Sequence, residues 1–220
     1  MAQKKGARNY EMDMCSGPLL SKLIVFAVPL MLSGILQLLF NAADIIVVGR
    51  FAGSESLAAV GSTSSLINLL VNLFIGLSIG ANVLVAQFYG ANKLKDLEET
   101  VHTAILLAGI SGVILIFVGF FLSDPMLELM GTPDEVLGLS TLYMKLYFLG
   151  MPAMLIYNFG SAILRAIGDT RRPLYFLLTA GVINVVLNLI FVIQFSMGVA
   201  GVALATAISQ CVSATLIVQC

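Results

Sequence analysis

From Pro173 onward the chain reads PLYFLLTAGVINVVLNLIFVIQFSMGVAGVALATAISQCVSATLIVQC (173–220), without one charged side chain. As a single helix this run would be about 70 Å long at about 1.5 Å per residue, against about 30 Å for the hydrocarbon core of a bilayer. It must therefore fold back, and Ser196-Met197-Gly198 supplies the turn residues. Two membrane helices follow, at 173–193 and 199–218.

The same signature recurs toward the amino terminus. Charge-free stretches separate Lys22 from Asp44, Glu55 from Lys93, Glu99 from Asp124 and Lys145 from Arg165. They place helices at 19–48, 57–88, 101–122 and 143–164, six spans in all. Charged residues make up 10% of the 220, where a soluble domain carries roughly 25%, and the mean hydropathy is +1.02. Composition thus excludes a soluble domain, a disordered tail and a nucleic-acid binder, and gives the fold class as an all-α integral membrane protein. The first apolar stretch, 23–43, exceeds the roughly 7 to 15 residues of a signal-peptide core and is expected to stay in the mature chain. Cys15, Cys211 and Cys220 form no CxxC pair or Cys/His cluster, so neither a disulfide framework nor a metal site is expected.

Orientation follows from the positive-inside rule. The segment between Ser56 and Asn92 reads either as one long helix or as two halves broken near Gly76 and Gly80. A single span collects Lys4, Lys5, Arg8, Lys22, Lys93, Lys95, Arg165, Arg171 and Arg172 on one side, leaving Arg50 and Lys145 opposite. That bias selects the single span, places residues 1–18 and both termini in the cytoplasm, and leaves acidic outer loops (Glu55, Asp124, Glu128, Asp134, Glu135). Between Pro125 and the Thr132-Pro133-Asp134-Glu135 start signal, residues 126–130 are expected to form a short interfacial helix. RAIGDTRRP (165–173) reads as a Gly-Asp turn with Pro173 opening the fifth span.

Polar residues inside the spans carry the functional reading. Asp44 is the one acidic residue well inside a span, and an intramembrane carboxylate marks a functional site by default. Counting from the outer helix ends at about 1.5 Å per residue, Asp44, Asn188 and Thr206 lie about 8 to 10 Å deep on three helices. Asn184 is one turn from Asn188 on the same face, and Tyr143 opens the fourth span near that level. A carboxylate with carboxamide and hydroxyl oxygens suits a desolvated Na⁺, here at Asp44, Asn184, Asn188 and Thr206, or a proton-carrying carboxylate. The other use of such groups is hydrogen bonding between helices. Ser33, Gln37, Asn41 and Asp44 share one face of the first helix, and Asn68, Asn72 and Asn158 add polar groups on the second and fourth. Such faces must meet protein or a water-filled cavity, and a common aqueous cavity is expected. Pro29 removes a backbone hydrogen bond in the first helix and marks a bend. The single His102 sits at the cytoplasmic base of the third helix. No acid pair, P-loop, HExxH or Ser/His/Asp set is present, so no enzyme is expected.

Four stretches in order, SIGANVLVAQ (78–87) with Gly90-Ala91, ILRAIGDTRRP (163–173), NVVLN (184–188) and GVAGVALAT (198–206), resemble the multidrug and toxic compound extrusion (MATE) family over 18–220. The resemblance implies a cation-coupled exporter in the cytoplasmic membrane, in which inward Na⁺ or H⁺ drives amphipathic, often cationic drugs outward through a cleft between two six-helix lobes. No other cofactor is implied. It places the cation site on Asp44, Tyr143, Asn184, Asn188 and Thr206, the position of Asn188 being Asp in many members. It associates Gln37 and Asn158 with the central cleft and Pro29 with the helix-1 bend. Family members have twelve spans, so this chain is read as an amino-terminal half whose partner is a second lobe or a second copy. The other readings are a lipid or lipid-linked sugar flippase of related fold, which a basic cavity would favour, and a transport-silent membrane fragment.

Overall fold

The computed structural model describes residues 19–220. The expected cytoplasmic segment 1–18, with Lys4, Lys5, Arg8 and Cys15, lies outside the described residues. Among these residues all regular structure is helical: α1 (Leu19–Val47), a π-helical turn at Val48–Ala52, α2 (Ser54–Gly90), α3 (Leu94–Leu129), α4 (Asp134–Leu149), α5 (Met151–Ala166), α6 (Arg171–Leu189), a second π-helical turn at Ile190–Gln194, and α7 (Gly198–Val218). Five of these are long and apolar enough to cross a bilayer, and α4 with α5 makes a sixth, bent by 49°.

The second span is a single helix, unbroken at Gly76 and Gly80. The fold-back falls at the expected turn, with Ser196 and Gly198 at φ 52° and 55°. α1 also runs continuously through Pro29, whose carbonyl accepts a 2.8 Å hydrogen bond from Ser33 Oγ.

Three sequence expectations are corrected. First, no separate interfacial helix follows Pro125, because α3 continues to Leu129. Tertiary contacts outweigh the hydrogen bond that proline removes. Leu127 is fully buried, and Asp124 accepts from Thr141 Oγ1 at 2.6 Å and from Lys145 Nζ at 3.0 Å, tying this end of α3 to α4. Second, the fourth span begins at Asp134 rather than Tyr143 and breaks at Gly150. Pro152 cannot donate to Phe148, and its ring displaces that carbonyl, while Gly150 lies so close to α7 that a Cβ there would meet Ala207 Cα at 2.9 Å. Third, Pro173 sits within the first turn of α6, not at its first position. The cap comes from Asp169, whose Oδ1 accepts from the backbone N–H of Arg171 and of Arg172, each at 3.1 Å.

α5 is the hub, packed against α3, α2 and α7, while α4 fills the space between α2, α3 and α7. Phe148, Met151, Leu155 and Phe159 are fully buried along the bent span. Lipid is as apolar as leucine, so close approach through small residues must hold the helices together. Gly112 packs on the backbone of Pro152, Gly119 on the Phe148 ring and Gly160 on Ile217. By contrast, α1 packs mainly along α6, not along α2 to which it is joined.

Candidate functional site

Asp44 lies in the last turn of α1 and Asn188 in the last turn of α6. The two helices approach closely deeper in the lobe, one turn down α1 and about two turns down α6, where Gly181 lacks the Cβ that would occupy the space of the Phe40 ring. Phe40 and Asp44 are four residues apart and share a face, as do Gly181, Asn184 and Asn188 at spacings of three and four. The seam that brings Phe40 onto Gly181 therefore also brings Asp44 onto Asn188.

Asn188 Nδ2 donates to Asp44 Oδ1 and, at 3.2 Å, to Asn184 Oδ1. Asn184 Nδ2 donates to Thr206 Oγ1 at 3.2 Å, and that hydroxyl donates to the carbonyl of Val202 at 3.0 Å. The chain Asp44–Asn188–Asn184–Thr206 thus joins α1, α6 and α7. Both carboxamides are buried, Asn188 completely, and Asn188 Oδ1 has no partner. Asp44 and Thr206 are half-buried. The ion pairs among the described residues, Lys93–Asp96, His102–Glu98, Lys145–Asp124 and Arg172–Asp169, leave Asp44 without a cationic partner.

This donor set fits a small hard cation. It offers a carboxylate, an unclaimed carboxamide oxygen and a hydroxyl oxygen, with no Cys or His. No cluster of three or more His, Cys, Asp and Glu occurs among the described residues, so a site for a softer metal finds no support there.

Tyr143 is buried, with its ring centroid 5.9 Å from that of Tyr147, but it takes no part in the hydrogen-bonded chain. Tyr147, one turn along α4, donates toward Met154 Sδ at 3.9 Å across the bend. Sequence reading missed Tyr147, although its i, i+4 spacing from Tyr143 would have indicated it. It also missed Asn82, whose Nδ2 donates to the Ala162 carbonyl at 2.5 Å and clamps α2 to α5.

The π-helical turns adjoin this site. One begins four residues after Asp44 and the other two after Asn188, and they pack on each other and on α7. Such turns are rare and concentrate at functional sites. The residues assigned to the cleft are dispersed by comparison. Gln37, Asn41 and Asn68 are exposed on α1 and α2, and Asn158 is half-buried on α5. None of these four hydrogen-bonds to another.

The MatE family model matches residues 29–190. A probable multidrug resistance protein of Bacillus subtilis, YpnP, is 32% identical over 200 residues, covering 90% of this chain and 44% of the relative. A crystal structure of MATE in the bent conformation superposes with a TM-score of 0.85 at 29% identity, over 91% of this chain and 45% of that one. The outward-facing conformation of a multidrug resistance MATE family transporter of the MOP superfamily gives 0.83 at 29%, over 89% and 43%. The chain thus spans less than half the length of the relatives it matches. With the family model spanning most of the chain, and with 91% of it superposing on a solved MATE structure, the chain belongs to the MatE family, as an amino-terminal lobe of that fold.

Proposed function

We propose that this lobe is the cation-coupling half of an exporter of amphipathic, often cationic small molecules, lying in the cytoplasmic membrane with Lys93, Lys95, Arg171 and Arg172 inside. The observation that carries this reading is the Asp44 carboxylate, held by Asn188, whose own carboxamide oxygen is unclaimed, with no Lys or Arg paired to it among the described residues. A carboxylate within a membrane span and without a cation is costly. Na⁺ or a proton entering from outside relieves that cost, so occupancy of the site is linked to the packing of α1 against α6. Alternating access then follows if the second lobe meets the face that carries Gln37, Asn41 and Asn68 and rocks against it. The probable multidrug resistance role of YpnP supports drugs as the cargo.

The test is Asp44→Asn in a chain that pairs this lobe with a second one. Cation-dependent efflux is abolished while membrane insertion and expression stay normal. Unchanged efflux at normal expression removes Asp44 from the mechanism. Lipid flipping is the weaker reading, because the site is built around a carboxylate and has no paired basic residue.

A further inference from the structure

A cavity of about 610 Å³ opens between α2 and α3, at the end of the lobe where α2 hands over to α3 and away from the Asp44 site. Leu77, Leu84 and Phe88 form its wall on α2, and Phe159 of α5 closes its floor. Asp96 and Glu99 stand at its mouth on the first turns of α3. The volume falls within the range of about 300 to 1,000 Å³ usual for small-molecule sites.

The two charged residues that line the groove are both acidic. Asp96 has Lys93 at 4.0 Å, both largely exposed. Glu99 has no ion-pair partner among the described residues, while its neighbour Glu98 turns toward His102. The hydroxyls of Thr100 and Thr103 donate to the backbone carbonyls of Asp96 and Glu99, so they do not claim the carboxylates. An apolar slot with an anionic rim is complementary to a molecule with a hydrophobic body and one positive charge.

We infer that the groove between α2 and α3, with Leu77, Leu84, Phe88 and Phe159 as its apolar lining and Glu99 and Asp96 at its rim, is a second binding site for amphipathic organic cations, separate from the Asp44 site. The inference rests on the substrate class proposed above. It adds that such cations are held at the end of the lobe bearing Lys93 and Lys95, before they meet any face shared with a second lobe. A neutral lipid chain could fill the slot but would gain nothing from the carboxylates.

The test is equilibrium binding of radiolabelled tetraphenylphosphonium to the purified 220-residue chain in phosphatidylcholine nanodiscs, with neutral triphenylphosphine oxide as competitor. Binding is saturable, and Glu99→Gln weakens it about two- to fivefold, the effect of one partly exposed charge pair. Gly80→Phe abolishes it by filling the slot. No atom lies within 4 Å of a Cβ at Gly80, so the backbone there has room for a side chain, and thermal melts verify the fold. Gly109→Phe, which fills open space along α3 outside the groove, leaves binding as it was. Absence of saturable binding, survival of binding in Gly80→Phe, or equal competition by triphenylphosphine oxide overturns the inference. The proposed coupling is read separately, as Asp44-dependent efflux, so either result can fail while the other stands.

Discussion

Asn188 is the residue on which the candidate cation site turns, because both of its N–H donors are committed, to Asp44 and to Asn184, while its oxygen is left over. Replacing it with Asp removes the donor to Asp44 and sets two carboxylates face to face. A hard cation must then bridge them, or one must keep a proton. Asn188→Asp is therefore expected to change the Na⁺ or pH dependence of efflux in a two-lobe protein, measured by varying each ion separately. Drug binding without a gradient changes far less. If neither ion dependence moves, Asn188 does not face the coupling carboxylate during transport. A different residue, Asp169, governs stability at the far end of the lobe. It is 1% exposed, caps α6 through two backbone N–H groups and pairs with Arg172 Nε at 3.0 Å. Asp169→Ala should cost roughly 3 kcal/mol, the scale of breaking a buried ion pair. Asp169→Asn, which keeps an oxygen for the cap, should cost less, and denaturant titration of the two variants measures both.

Between elements, the contact that sets the site is that of α1 on α6. A methyl group at Gly181 collides with the Phe40 ring, so in Gly181→Ala either that ring turns aside or α1 moves away from α6 and loosens the contact of Asp44 with Asn188. The expected cost is about 1 to 3 kcal/mol, as for other overpacked cores, together with loss of cation dependence. Adding Phe40→Leu should recover part of the stability, since the two side chains share one space and their effects are not additive. Thermal unfolding of the single and double variants in detergent measures this. No recovery would mean that Gly181 acts through something other than the Phe40 contact. The bend between α4 and α5 belongs to the same scale. Pro152 breaks the span, but Gly112 against Pro152 and Gly119 against Phe148 on α3 hold it in place, so the angle is fixed by packing as well as by the missing donor.

For the whole molecule the main expectation is sidedness. The spans run alternately, so Lys93 and Arg171 share one end and Glu55 and Asp134 the other. Cysteine-accessibility labelling in intact cells should report positions 93 and 171 as cytoplasmic and 55 and 134 as external. Finding 93 outside would reverse the proposed orientation. Much of α1 is uncovered, with Leu20, Met31 and Leu38 at 72%, 66% and 71% exposure beside the exposed Gln37 and Asn41. Lipid can satisfy the leucines but not the carboxamides, which is why this face is expected to meet a second lobe. Cells expressing only residues 1–220 should accordingly insert the lobe yet show no gradient-driven efflux. Robust efflux would mean that copies of this chain supply both halves.

Sequence by itself determined the membrane class, the single second span, the turn at Ser196-Met197-Gly198 and the polar set Asp44, Asn184, Asn188 and Thr206. Each is readable along the chain without tertiary contacts: an uninterrupted apolar length, the sidedness of Lys and Arg, turn-forming residues, or a depth counted from a helix end. Tertiary structure decided the rest. The run of α3 through Pro125 depends on Leu127 burying its side chain and on Asp124 reaching Thr141 and Lys145 on another helix. The earlier start and break of the fourth span depend on its fit against α3 and α7. Sequence reading put Tyr143 at the start of the fourth span, whereas that span starts at Asp134, and only packing showed its ring tilted against Tyr147 outside the hydrogen-bonded chain. The groove between α2 and α3 was illegible for the same reason, since Leu84 and Glu99 become neighbours only when two antiparallel helices are laid side by side over Phe159.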